Sequence, residues 1–180
     1  MGAQMNWVER AFEWIENSDV SLWVRGPSVW VFPLILVFHT IGMALVAGIG
    51  GMTGLRILGF PPNVPLSAMD KFYPAFWIGL AMNAASGVLL LIGYPYKAVT
   101  NPVFYLKLSC IALGIYLAVK IRREVLGAPY AAGSSAAVAI PSHAIALGLL
   151  SIFAWAGAIT AGRLLAYTFV WLRVGIPGGF

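Results

Sequence analysis

Two stretches of the chain, Gly26 to Leu55 and Val125 to Gly162, run without one formally charged residue. Each is long enough to cross a bilayer, for which about 20 apolar residues suffice. Two further apolar runs lie between them. The pattern predicts four crossing helices, at 28–51, 74–94, 103–121 and 142–167. The first is opened by Trp30 at headgroup depth and tolerates Pro33 in its early turns. The second lies between Lys71 and Lys97. Lys107 sits near the start of the third, where a long side chain can snorkel. Phe169 and Trp171 give the fourth an interfacial end.

Ahead of the spans, residues 5–17 place Trp7, Val8, Ala11, Phe12 and Ile15 on one helical face and Glu9, Arg10, Glu13 and Glu16 on the other. This predicts an amphipathic helix lying in the membrane interface. Its polar face is acidic on balance, which suits docking on a partner protein better than attraction to anionic lipid. The acidic start is unlike a cleaved signal peptide, so the N-terminus is expected to be retained.

Composition agrees with this pattern. Hydrophobic residues make up 61% of the chain and charged residues 9%, against roughly 25% charged in soluble domains. The expected fold is therefore all-α: a single membrane domain, residues 1–180, forming an integral four-helix bundle with an N-terminal interfacial helix. The net charge of +5 is scattered in ones and twos, unlike the clustered basic face of a nucleic-acid binder. A single cysteine, Cys110, excludes an internal disulfide. Counting bases gives no orientation; the Lys120, Arg122, Arg123 cluster and the acidic N-terminus favour both termini outside the cytoplasm.

Small residues let helices approach closely in lipid. Gly79, Asn83 and Gly87 recur on the second span, Cys110, Gly114 and Ala118 on the third, and Ala154 and Ala158 on the fourth. The two histidines fall on such faces, His39 with Gly42, Met43, Val46 and Gly50, and His143 with Ala146, Leu147, Leu150, Ala154 and Gly157. A buried imidazole needs a partner, which suggests three readings. The most concrete is one b-type haem held between His39 and His143, with Arg56, Arg122 and Arg123 or Arg25 and Arg163 available to its propionates. Trp155 and Phe153 could pack on the macrocycle and otherwise face lipid. That pairing depends on where the fourth helix starts: near Ser134 or Ser135 the histidines reach similar depths, whereas at Ser142 they do not. The second reading is copper, with His39, Met43, Met82 and Cys110 as soft ligands. The third is two separate structural histidines. Nothing is placed for hydrolysis or for a phosphate loop.

The stretches HTIGMALVAGIGGMTGLRILGF (His39 to Phe60), PAFWIGLAMNAASGVLLLIGY (Pro74 to Tyr94), NPVFYLKL (Asn101 to Leu108) and AGRLLAY (Ala161 to Tyr167) resemble small bacterial inner-membrane proteins of unknown function. These are distantly similar to the membrane domain of copper-resistance D-type proteins and to four-helix b-type cytochromes. The resemblance implies a bacterial inner-membrane four-helix protein with at most one bis-histidine haem. The resemblance leaves the activity open, and two functional classes remain: a haem-bearing electron-transfer subunit with redox partners, and a cofactor-free subunit that anchors a larger membrane complex, with no catalytic activity of its own expected.

Overall fold

The computed structural model describes residues 7–127 and 140–171, excepting the side chains of residues 8, 9 and 169–171. The described residues form helices and connecting turns. Two short helices, α1 (Trp7–Glu16) and α2 (Asp19–Arg25), precede the first long one, α3 (Val31–Ile57). A 3-10 turn (Leu66–Phe72) leads into α4 (Tyr73–Gly93), and the short α5 (Pro95–Val99) leads into α6 (Pro102–Ile121). A π-helical turn (Arg122–Leu126) extends α6, and α7 (Ser142–Trp171) completes the set. Four of these segments are long and apolar enough to cross a membrane, which marks the chain as a membrane protein.

Local sequence sets where the helices begin and end. Asn101 caps α6 by accepting from the Val103 amide at 2.9 Å, and Pro102 occupies the first turn, where its missing N–H costs nothing. The Asn101 amide also donates to Thr168 Oγ1 at 3.0 Å, tying the start of α6 to the end of α7. α3 continues six residues past Gly51, because Met52, Leu55 and Ile57 keep the run apolar while the Arg56 guanidinium turns back onto the Val64 carbonyl. It stops at Gly59, whose φ of 97° lets the Gly59 and Phe60 amides fold back onto the Arg56 and Leu55 carbonyls at 3.1 and 3.0 Å.

α7 begins at Ser142. Pro141 lies outside the helix and its carbonyl accepts from the Ala144 and Ile145 amides. Ser134 and Ser135, the alternative helix start, lie outside the described residues. So do Met5 and Asn6 of the predicted first helix, Arg173, and the side chains of Phe169 and Trp171.

α3 packs against α4 on one side and α7 on the other, and α6 packs on the far side of α7. Glycines set the spacing. A methyl group on Gly42 would lie 2.7 Å from the Asn83 nitrogen, and one on Gly54 2.7 Å from the Gly148 carbonyl. Trp155 stands at the centre, 2% exposed. Its indole lies over Gly50 of α3 and Gly114 of α6 and meets Phe76 of α4 edge-on at 5.8 Å. The small size of those two glycines turns Trp155 inward, whereas Phe153 faces outward at 70% exposure. Trp155 therefore occupies the interior as packing, in contrast to the macrocycle or lipid contact expected from sequence.

The glycines make the packing testable. Gly50→Ala would place a methyl 2.2 Å from Trp155 Nε1. It should destabilise the detergent-solubilised protein by about 1–3 kcal/mol, despite the roughly 1 kcal/mol that alanine gains as a helix former. Gly48→Ala meets open space and should raise the unfolding midpoint or leave it unchanged.

Candidate functional site

The depth of Lys107 follows from the start of α6. Five residues beyond Pro102, at 1.5 Å per residue, it lies about 8 Å along the helix. His39 lies eight residues beyond Val31, about 12 Å along α3 from the same end of the bundle. Ser86 is seven residues before Gly93, about 10 Å from the corresponding end of α4. Three helices thus bring polar side chains to one level, where glycines leave room for them. A methyl on Gly87 would sit 3.4 Å from His39 Cε1, and one on Gly162 of α7 3.7 Å from Lys107 Cε, both ordinary contacts.

The polar groups form a directed chain. Lys107 Nζ lies 3.3 Å from His39 Nε2, and His39 Nδ1 lies 3.1 Å from Ser86 Oγ. Ser86 donates its own proton to the Met82 carbonyl at 2.6 Å. The Asn83 amide donates to the His39 carbonyl at 2.9 Å, holding the backbone beneath the ring. Hydrogen-bond chemistry assigns the tautomer from both ends. A charged Lys107 has only donors, so it gives a hydrogen to Nε2, and Ser86, whose hydrogen goes to the Met82 carbonyl, then accepts from Nδ1; the Asn83 amide nitrogen, also a donor, stands 3.5 Å from the same Nδ1, at the outer limit of a hydrogen bond. Both requirements are met by a neutral imidazole protonated at Nδ1.

Among the described residues Lys107 makes no ion pair with an acid. Four of the six acids precede Val31 in sequence, and the other two, Asp70 and Glu124, belong to the opposite end of the bundle. Beside the chain, Ile35, Phe38, Met82, Ala85, Ser86 and Leu89 line an apolar groove of about 250 Å³ between α3 and α4.

The structure does not bring the two histidines together. His143 is exposed in the first turn of α7, nineteen residues from Gly162, which lies beside Lys107. That separation is about 28 Å along the helix, too far for both imidazoles to reach one iron. Arg56 is occupied by the Val64 carbonyl at the far end of the bundle, and Arg163 is exposed on α7 near the level of Lys107. Met43 is half-buried against the apolar core. Met82 lines the outer groove, and Cys110 lies by Gly157, so neither sulfur joins the contacts made by the His39 ring. Among the described residues no three His, Cys, Asp or Glu side chains cluster as a metal site would require.

Sequence reasoning assigned Lys107 to snorkelling and Asn83 to helix packing, and it passed over Ser86. The signal that finds them is depth: counted from helix ends at one side of the membrane, Ser86, His39 and Lys107 fall within about 4 Å of one another.

Nitrogen NMR of histidine-labelled protein in nanodiscs, assigned with His143→Ala, should show His39 protonated at Nδ1 and bare at Nε2. An optical spectrum provides a separate check. His143→Ala should leave both spectrum and thermal stability unchanged, whereas a b-type haem band lost in both His39→Ala and His143→Ala would restore the shared-haem reading. No family model, curated protein or solved structure matches the chain.

Proposed function

We propose that the protein is an integral membrane subunit whose working centre is a proton relay, Lys107 to His39 to Ser86, opening to one face of the bilayer. The observation that carries this reading is the placement of an ammonium donor 3.3 Å from an imidazole nitrogen inside the bundle, with the other ring nitrogen already bonded onward. Ionisable groups at such depth are costly and mark proton or ion pathways. The ammonium passes a proton to Nε2; the ring gives its Nδ1 hydrogen to Ser86 Oγ as Ser86 releases its own to water at the mouth of the α3–α4 groove that it lines; and the lysine amine is recharged from water at the near face. The two steps move one proton and return the ring as the other tautomer. Rotation of the ring resets it.

In this reading α1 lies in the interface at the same end, with Phe12 edge-on to Tyr96 of α5 at 6.0 Å and Trp7 and Trp14 exposed to headgroups. The acidic side of α1 offers partner subunits a docking surface. The membrane is the bacterial inner membrane, with both chain ends on its outer side. The subunit serves a larger complex as a proton-handling part, a role that requires neither the bis-histidine haem nor copper.

Exchange of the His39 Nδ1 hydrogen with water, read by NMR in nanodiscs, tests the relay. Lys107→Met should slow it on the order of a hundredfold. Lys107→Arg provides the decisive comparison, because arginine keeps a donor at the site but does not give up its proton; it should preserve the fold and slow exchange to a similar extent. Unchanged exchange in a folded Lys107→Arg protein would sink the relay.

A further inference from the structure

The opposite end of the bundle carries a second feature, unconnected with the relay. Arg56, Lys71, Lys120, Arg122 and Arg123 gather there against two acids, Asp70 and Glu124. The cations surround a seam. α4 and α6 have almost no close backbone approach, and Tyr73 bridges them by donating its hydroxyl hydrogen to the Ala118 carbonyl at 2.9 Å. Above that bridge Trp77, Val119, Arg122 and Arg123 line a cleft of about 430 Å³.

The side chains of the cleft differ in how they are held. Arg122 is fixed, with its Nε 2.7 Å from Asp70 Oδ1 and its guanidinium 5.2 Å from the Tyr73 ring centre. Its side chain remains 47% exposed. Arg123 is exposed and makes no ion pair with a described residue. Trp77, 39% exposed, is braced edge-on against Phe76 at 5.4 Å. A rigid indole and an apolar β-branched wall lie beside two guanidinium groups, one paired with Asp70 and one exposed.

We infer that this cleft binds the headgroup of an anionic phospholipid. The phosphate diester takes the guanidinium donors of Arg122 and Arg123, and one acyl chain descends the α4–α6 seam over Val119 and Trp77. Charge selects the ligand, because five cations gather at this end against two acids, one of which, Asp70, is already paired with Arg122. The seam selects a lipid over a free ion, because its lower wall offers only apolar surface. Basic pockets between membrane helices recognise anionic headgroups in this manner, and arginine suits phosphate through its paired donors.

Native mass spectrometry of the detergent-purified chain with added phosphatidylglycerol or phosphatidylcholine tests the site. Phosphatidylglycerol should be retained in preference to phosphatidylcholine, and Arg123→Gln should weaken its binding about tenfold. Trp77→Leu should weaken both lipids. Lys71→Gln, a charge change at the same end but outside the cleft, should leave retention unchanged. Arg123 is exposed, so its replacement should not disturb folding, and the unfolding midpoint without lipid verifies this. Equal retention of the two lipids, or undiminished phosphatidylglycerol binding in Arg123→Gln, overturns the proposal. Protection from unfolding by inorganic phosphate equal to that by phosphatidylglycerol also overturns it, in favour of a free-anion site.

Discussion

The bundle depends on the fit of one indole between two glycines. In lipid there is no hydrophobic gain from bringing helices together, so association relies on close packing and hydrogen bonds. Trp155 supplies that packing, because its ring touches α3 at Gly50, α6 at Gly114 and α4 at Phe76. Any side chain at either glycine would displace it. Its Nε1 hydrogen finds no acceptor among the described residues, a cost of about 1–3 kcal/mol for a buried donor. The contacts to three helices offset this cost, and Ser151, one turn earlier on α7, ties the same α3 segment through the Gly50 carbonyl at 3.2 Å.

The polar centre follows a different rule. Around Trp155 glycines are occupied by neighbouring atoms, whereas Gly87 and Gly162 leave ordinary contact distances beside His39 and Lys107. A lysine at mid-bilayer costs roughly 2.5–3.5 kcal/mol on insertion scales. Its position about 8 Å from the start of α6 lowers that cost, since water and headgroups are near. His39 is the group that makes the position useful. One ring nitrogen stands 3.3 Å from Lys107 Nζ and the other 3.1 Å from Ser86 Oγ, so the imidazole joins α6 to the α3–α4 contact.

Much of the fold was legible in the sequence, and the site was legible only in part. The uncharged runs located four long helices because a bilayer demands length and apolarity, two properties that composition reports directly. The small-residue rows on α4, α6 and α7 lie at the helix contacts for the same reason. What failed was inference from one residue type at a time. His39 and His143 look alike in sequence, yet Pro141 starts α7 one residue before His143 and leaves that histidine in an exposed first turn. Trp155 read as lipid-facing because the glycines that admit it belong to other helices. Lys107 read as an anchor because its partner is 68 residues away in sequence.

Trp155 also fixes how far the relay can extend. Gly50, which it covers, is eleven residues beyond His39, and Gly114 is seven beyond Lys107, so the indole stands about 10–16 Å deeper than the polar centre. At its level the core is mostly apolar, with Val46, Ala47, Phe76, Leu117, Ala154 and Ala158, and the nearby hydroxyls of Ser151 and Thr53 are turned onto the Gly50 and Ile49 carbonyls of α3. A proton entering the proposed relay at Lys107 therefore meets a close-packed layer whose hydroxyls are already bonded to backbone carbonyls before it reaches the far end. The proposed relay is therefore one-sided, its proton leaving at Ser86 or returning to the face it came from. The arginine cleft lies beyond Trp155, so the proposed proton site and the proposed lipid site occupy opposite ends of one bundle, with the packed layer between them.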